Sequence, residues 1–229
     1  LQAKLQQLNA RISAAARAVS RDPAAISLVA VSKTFDAAAV VEAAQAGQRR
    51  FAENYAQEGI DKIARVRAAL PETPLEWHFI GPIQSNKTRA IAEHFDWVQS
   101  VDRARIAARL SEQRPAQLPP LKVLLQVNIS GEASKSGAAP GDVAALAATV
   151  AALPRLQLRG LMAIPEPTDD PSAQHRAFAR VRQIFEQLRV RFGAQFDTLS
   201  TGMSADLEAA IAEGATMVRI GTAIFGARQ

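Results

Sequence analysis

Eight short runs of apolar and β-branched residues recur along the chain, each followed by a stretch in which apolar residues return at helical spacing. The runs predict strands over Ser27–Lys33, Arg49–Ala52, Glu76–Gly81, Trp97–Val101, Lys122–Ser130, Leu158–Ile164, Thr198–Gly202 and Met217–Gly226. Between them the spacing predicts helices over Asp36–Ala46, Glu53–Ala69, Asn86–His94, Arg103–Gln113, Asp142–Ala152, Pro171–Phe192 and Ser204–Glu213. The first of these opens on an Asp N-cap and stops at Gly47, which is ordinary helix punctuation. One more helix, Leu1–Val19, stands in front, with Leu1, Leu5, Leu8 and Ile12 on one face.

Strands that alternate with helices form a parallel sheet, because each crossover helix carries the chain back to start the next strand in the same direction. Eight units of roughly 25 residues predict closure into an α/β fold of one (β/α)8 TIM-type barrel with an extra N-terminal helix. The 229 residues then form one domain, 1–229, with little left for a second. An open doubly wound sheet is the competing architecture. It calls for a glycine-rich turn after the first strand, where Lys33 stands instead. The Arg114–Pro120 segment, with Leu118-Pro119-Pro120, joins a helix to the next strand.

In such a barrel chemistry collects where the strands end. Strand one ends in Lys33, strand two runs into Glu53-Asn54, and strand three contains His78 before Gly81. Strand four ends at Ser100, strand five at Asn128 and strand six near Met162. Strand seven ends Ser200-Thr201-Gly202, and strand eight carries Arg219 and then Gly221-Thr222.

Lys33 closes the apolar run Leu28-Val29-Ala30-Val31, so its ammonium faces a mouth with hydrophobic walls. Desolvation there disfavours the charged amine and makes it a nucleophile toward an aldehyde. The competing reading is a strand-end lysine that snorkels to water. Of the six lysines, Lys4 and Lys62 fall on helices and Lys122 opens a strand at the opposite face. Lys87 and Lys135 sit in loops on the same face as Lys33 and are secondary candidates.

The second constellation is Ser200-Thr201-Gly202-Met203-Ser204, with Ser204 as the predicted N-cap of the following helix. Glycine admits close backbone approach and a helix start favours an anion, so this turn and Gly221-Thr222 form a candidate phosphate corner. Asp206 in the first helical turn opposes that anion. Arg219 shares strand parity with Gly221 and needs a partner if it points inward. His78, within Trp77-His78-Phe79-Ile80, suits a hydrogen-bonded core position as well as a ligand contact.

Composition narrows the chemistry. There is no cysteine, which removes disulfides, thiolate metal ligands and a thiolate nucleophile. Three histidines far apart in sequence do not form a zinc pattern. The balance of 27 Lys+Arg against 22 Asp+Glu is scattered over helix faces, and aromatics are only 5%, so no nucleic-acid partner is expected. No apolar run approaches the roughly 20 residues a spanning helix needs. The N-terminus is amphipathic rather than signal-like, and the missing Met suggests trimming. The expected protein is soluble and cytoplasmic.

At this point a set of local motifs converges. Ala30-Val31-Ser32-Lys33, Glu53-Asn54-Tyr55, Trp77-His78-Phe79-Ile80-Gly81, Gln84-Ser85-Asn86-Lys87 and Gln126-Val127-Asn128-Ile129-Ser130 resemble the pyridoxal-phosphate homeostasis proteins (the YggS/PROSC family). So do Lys135-Ser136-Gly137, Gly160-Leu161-Met162-Ala163-Ile164, Gly202-Met203-Ser204 with Asp206-Leu207, and Val218-Arg219-Ile220-Gly221-Thr222. The resemblance runs essentially end to end. It implies a single barrel like the N-terminal domain of alanine racemase, with pyridoxal 5'-phosphate (PLP) as cofactor.

Carried over residue by residue, Lys33 matches the lysine that forms the internal aldimine, a Schiff base. Ser200, Gly221 and Thr222, with the backbone near Met203, match the phosphate cradle. Arg219 matches the partner of the pyridine nitrogen, and Asn54 and His78 match neighbours of the ring. Three positions depart. Ala52 stands where the family usually has Gly, Thr201 where it usually has Met, and Phe35 where some relatives carry a second lysine. Either Lys135 serves that second lysine's role or the role is absent here.

An arginine on the pyridine nitrogen weakens the cofactor as an electron sink. Racemases of this barrel type also use a tyrosine from a second domain, whereas this chain has one tyrosine, Tyr55, and no room for that domain. The resemblance therefore implies a carrier or regulator of PLP in intracellular PLP homeostasis. No catalytic residue is assigned, PLP-dependent apoenzymes are candidate partners, and the expected state is a monomer. The competing reading is an amino-acid racemase or decarboxylase of weak activity using Tyr55 or His78. Without the resemblance, a Schiff-base aldolase acting on a sugar phosphate shares the same lysine and phosphate corner.

Overall fold

Strands form where the β-branched runs lie, and alternation within each run decides which side chains enter the barrel and which face the helices. A computed structural model describes residues 1–131 and 136–226. Its first half comprises α1 Gln2–Ala18, β1 Ser27–Val31, α2 Ala37–Gln45, β2 Arg50–Glu53, α3 Ala56–Ala69, β3 Glu76–Phe79, α4 Thr88–His94 and β4 Trp97–Val101. The second half comprises α5 Ala104–Gln113, β5 Leu121–Val127, α6 Val143–Ala151, β6 Leu156–Ala163, α7 Pro171–Phe192, β7 Thr198–Ser200, α8 Leu207–Ala212, β8 Met217–Ile220 and α9 Thr222–Phe225. The strands pair in sequence order, all parallel, and β8 returns to β1 to close the barrel.

The predicted strands overrun at their C-terminal ends, because ladder pairing stops at Val31, Phe79, Val127, Ser200 and Ile220. The predicted strand Met217–Gly226 breaks in two, with Gly221 turning β8 into the short helix α9. The predicted N-cap Ser204 is also displaced. Asp206 stands at the cap position of α8, and its Oδ1 accepts the Met203 N–H at 2.6 Å, which winds residues 203–206 into a turn ahead of the helix.

Val29, Ala52, Trp97, Leu124, Met162 and Met217 pack inside the barrel. The alternate residues, among them Leu28, Ala30, Phe51, Phe79, Val123 and Leu125, pack outward against the helices. Each fully buried Val, Leu, Met or Phe among them contributes about 1.5–3 kcal/mol. Helix α1 buries Leu5, Leu8, Ile12 and Ala16 and lies against α8, where Arg11 grips Glu208 through two bonds of 2.5 and 2.7 Å. The extra helix thus covers the outer layer of the barrel. A Cβ at Gly81 would stand 1.9 Å from the Asn54 carbonyl oxygen, so only glycine lets the ends of β2 and β3 meet there. Among the described residues no helix is long and apolar enough to cross a membrane.

Candidate functional site

Inward parity on β1 runs through Val29 and Val31, and the same alternation carries the half-buried Lys33 to the mouth of the barrel. On β8 it runs through Met217 and Arg219 to Gly221. These two series converge on one cavity of about 280 Å3, which Lys33, Arg219, Gly221 and Thr222 line together with Met203, Ser204 and Ala205. Phe35 also lines it, with its ring stacked on Phe225 at 5.0 Å. Phe35 is therefore an apolar wall beside Lys33.

The backbone supplies the anion donors. The amides of Ser204 and Ala205 find no acceptor among the described residues, nor do those of Thr222 and Ala223 at the start of α9, whereas the Ile224 N–H returns to the Gly221 carbonyl. The Met203 amide is taken by Asp206, so the donors nearest the predicted Met203 position are the two amides that follow it. Burial pushes the Asp206 carboxyl above its ordinary range, against the pull of the Met203 N–H and of Arg219.

Arg219 is 4% exposed. It donates from Nη1 to Ser200 Oγ at 2.7 Å and from Nη2 to the Ala163 carbonyl at 3.1 Å. Burial pulls its pKa down to about 10, partly offset by Asp206, so it remains a cation at neutral pH. Ser200 and His78 do not line the cavity; they stand behind Arg219. Ser200 Oγ donates to Gln99 Oε1 at 2.6 Å, and His78 engages Gln99 through Nδ1 and Glu76 through Nε2 while stacking on Trp97.

Asn54 follows the inward parity of β2, one strand over from Lys33, but does not itself line the cavity, and its Oδ1 is out of solvent with no partner among the described residues. An unpaired buried acceptor costs about 1–3 kcal/mol, so a ligand donor is its natural complement. Ser100 behaves differently: its Oγ donates to the Gly81 carbonyl at 2.6 Å, and the inward polar residue of β4 is Gln99. Lys87 is exposed in the turn before α4, outside the cavity lining. Lys135 lies outside the described residues.

Sequence reading passes over the group that holds the Lys33 segment. Ser32 Oγ donates to Glu53 Oε1 at 2.6 Å, Lys62 Nζ donates to the Ser32 carbonyl at 2.7 Å, and the Thr34 N–H reaches Glu58 Oε1 at 2.6 Å. Thr34 itself has φ 69°, a left-handed conformation that the bond to Glu58 holds in place. The Glu58/Lys62 spacing of four residues was the only signal, and it reads as a solvated helix pair.

Depressions of about 340 and 410 Å3 open at the opposite pole around Arg50, Glu76 and Lys122, where Arg50 and Lys122 are bridged to Glu76, Arg159 to Asp197, and Arg49 and Arg114 donate to backbone carbonyls. No cluster of three metal-ligating side chains occurs among the described residues.

The chain matches the family described as alanine racemase, N-terminal domain, over residues 3–229. A Pseudomonas aeruginosa protein named pyridoxal phosphate homeostasis protein is 64% identical, over 98% of this chain and 94% of its own length. The chain belongs to the pyridoxal phosphate homeostasis protein family. The Escherichia coli K12 protein of the same name is 58% identical over 98% of this chain and 95% of its own. Among solved structures, PipY of Synechococcus elongatus with PLP bound is 38% identical, with a TM-score of 0.78 over 95% of this chain and 100% of PipY.

Of the three positions expected to depart from the family pattern, Phe35 lines the cavity and the other two do not. Ala52 packs inside the barrel, and Thr201 Oγ1 donates to the Ala163 carbonyl, the same oxygen that Arg219 uses.

Proposed function

We propose that the protein binds PLP in the cavity beneath Lys33 and holds it there as a carrier or regulator in intracellular PLP homeostasis. The observation that carries the reading is the convergence of an inward lysine, a buried arginine and unpaired backbone amides on one cavity. The shared name of the relatives and the PLP bound by PipY support the same cofactor.

When bound, PLP supplies an aldehyde that condenses with a primary amine with loss of water, a dianionic phosphate and a pyridine nitrogen. Lys33 is the amine that strand parity directs into the cavity. The amides of Ser204 and Ala205 and the Gly221-Thr222 turn would receive the phosphate, beside Met203 in the same lining. Arg219 offers its remaining donors to the pyridine nitrogen and, as a cation, keeps a proton off it. The orphaned Asn54 Oδ1 complements a donor at the ring edge. Ser200 and His78 act from behind Arg219.

Tyr55 is 58% exposed at the start of α3, and both His78 nitrogens are engaged, so neither supplies a second acid/base at the cavity. That supports holding over racemisation or decarboxylation, and we assign no catalytic residue. We read residues 1–229 as one binding domain, working in the cytoplasm as a monomer that exchanges PLP with PLP-dependent apoenzymes.

The test is a visible absorbance spectrum with and without PLP, followed by borohydride reduction and peptide mapping. A band that maps to Lys33, and is lost in Lys33→Ala while some phosphate-dependent affinity remains, is the expected result. No band at saturating PLP overturns the reading, and a reducible adduct on another lysine in Lys33→Ala overturns the assignment of Lys33. Turnover of D- or L-alanine that disappears in Lys33→Ala favours the racemase instead.

A further inference from the structure

Arg219 and Glu76 stand at the two ends of an unbroken file of side chains that crosses the barrel interior. Arg219 Nη1 meets Ser200 Oγ at 2.7 Å, and Ser200 Oγ meets Gln99 Oε1 at 2.6 Å. Gln99 Nε2 meets His78 Nδ1 at 2.9 Å, and His78 Nε2 meets Glu76 Oε1 at 3.2 Å. Ser200, Gln99 and His78 are completely buried. Bulk solvent therefore does not reach the three middle members.

The two ends leave one arrangement of hydrogens. A guanidinium only donates, so Ser200 Oγ accepts from Arg219. Glu76 is an ionised acceptor: burial works against its charge, but His78 and Lys122 donate to it and hold its pKa well below the carboxylate range. His78 Nε2 must then carry the hydrogen. Burial keeps the imidazole neutral against the pull of Glu76, so Nδ1 is a bare acceptor. Gln99 has to turn its amide NH2 to His78 and its oxygen to Ser200, whose hydroxyl hydrogen points to that oxygen. Every donor in the file points from Arg219 toward Glu76.

Reversing any member breaks the rest. With the Gln99 amide turned over, Ser200 Oγ would face donors from both Gln99 and Arg219, and its own hydrogen would lose its acceptor. A buried mismatch of this kind shifts an equilibrium by roughly tenfold. We propose that Gln99 and His78 are positioning residues for Arg219: the directed file, anchored on Glu76, fixes which guanidinium donors are left for the ring nitrogen of the bound cofactor. The proposal rests on the PLP reading of the cavity.

The test separates hydrogen bonding from ring packing. His78→Phe keeps an aromatic ring against Trp97, now at 5.3 Å and 13°, and removes both nitrogens. His78→Asn gives up the ring and returns an acceptor near the Nδ1 position. The expected result is roughly tenfold weaker PLP binding in the Phe variant, with a shifted pH midpoint of the visible band. The Asn variant should recover to within about threefold of wild type. Ring packing alone predicts the opposite order.

A Phe variant with wild-type affinity and midpoint, or an Asn variant as weak as the Phe variant, overturns the proposal. If neither variant folds, long-range 15N NMR on the wild-type protein without PLP decides it. A hydrogen on Nε2 with a bare Nδ1 supports the directed file, and a hydrogen on Nδ1 overturns it. Wild-type protein that gives no visible band with PLP overturns the cofactor reading and the role of the file with it, while the same NMR signal still reports whether the file itself exists.

Discussion

Lys62 Nζ lies 2.7 Å from Glu53 Oε1 behind the strand end that carries Lys33, and the two side chains are 4% and 0% exposed. Burial pushes the Glu53 carboxyl upward, and Lys62 counters it with both charge and a hydrogen bond. Because Lys62 also binds the Ser32 carbonyl, and its neighbour Glu58 binds the Thr34 amide, the pair fastens the backbone on both sides of Lys33. A flexible lysine is thereby mounted on a segment with little freedom to move.

Lys62→Met removes the amine and leaves a carboxylate in the protein interior. Breaking a buried pair from one side costs about 3–5 kcal/mol, because the remaining charge is uncompensated. The loss should appear in urea unfolding, and Lys62→Met with Glu53→Gln should regain part of it. PLP affinity of the single variant should fall as well, since Ser32 loses its anchor. Unchanged stability in Lys62→Met would show that water reaches the pair.

Asp206 sits beside the amides proposed to receive the phosphate, and burial already disfavours its charge. A bound anion raises its pKa further, so binding takes up a proton over a window above the ordinary value of about 3.9, and affinity falls as pH rises through that window. Asp206→Asn keeps an acceptor for the Met203 N–H and removes the repulsion. Inorganic phosphate and PLP should both bind about two- to fivefold tighter at low salt, by calorimetric titration. Weaker binding would mean that the carboxylate chiefly supports Arg219.

What a sequence reader can see of this site is a matter of parity. Lys33 continues the inward alternation of Val29 and Val31, and Gly221 that of Met217 and Arg219, so both halves of the cavity are legible from period two alone. Gln99 obeys the same rule, through Trp97, but it lies inside its strand. Attention to strand ends favours Ser100, which points the other way. Lys62 is hidden for a different reason. A helical lysine four residues after a glutamate looks solvated, and only the packing of α3 on β2 buries it. The Ser204 cap fails because Asp206, three residues beyond Met203, takes the Met203 N–H and closes a local turn before the helix begins.

Phe35 tests the one departure that touches the cavity. Its stack on Phe225 and its place in the wall favour an apolar residue there. Phe35→Lys should lower stability by about 0.5–1.5 kcal/mol from the lost ring pair alone. Borohydride mapping of this variant should still find the adduct on Lys33. A major adduct on the new side chain would show that position 35, rather than strand parity, selects the amine.

The pH dependence of stability follows from His78 and Glu76. The folded pKa of His78 lies below its ordinary value of about 6.5, so in the interval between them the unfolded chain binds a proton that the folded chain refuses. Stability is therefore lost as pH falls from about 6.5, at up to about 1.4 kcal/mol per pH unit. Glu76 is depressed, so its contribution is complete above its ordinary value of about 4.3 and is lost as pH falls below it. Urea midpoints should stay level from neutral pH down to about 6.5, then decline in two stages. His78→Phe should be less stable at neutral pH and should lack the first stage, and the second should shrink, because Glu76 keeps Lys122 but loses the His78 donor that depresses it. A first stage that persists in His78→Phe would place the proton on another group and remove the buried neutral imidazole on which the direction of the interior file depends.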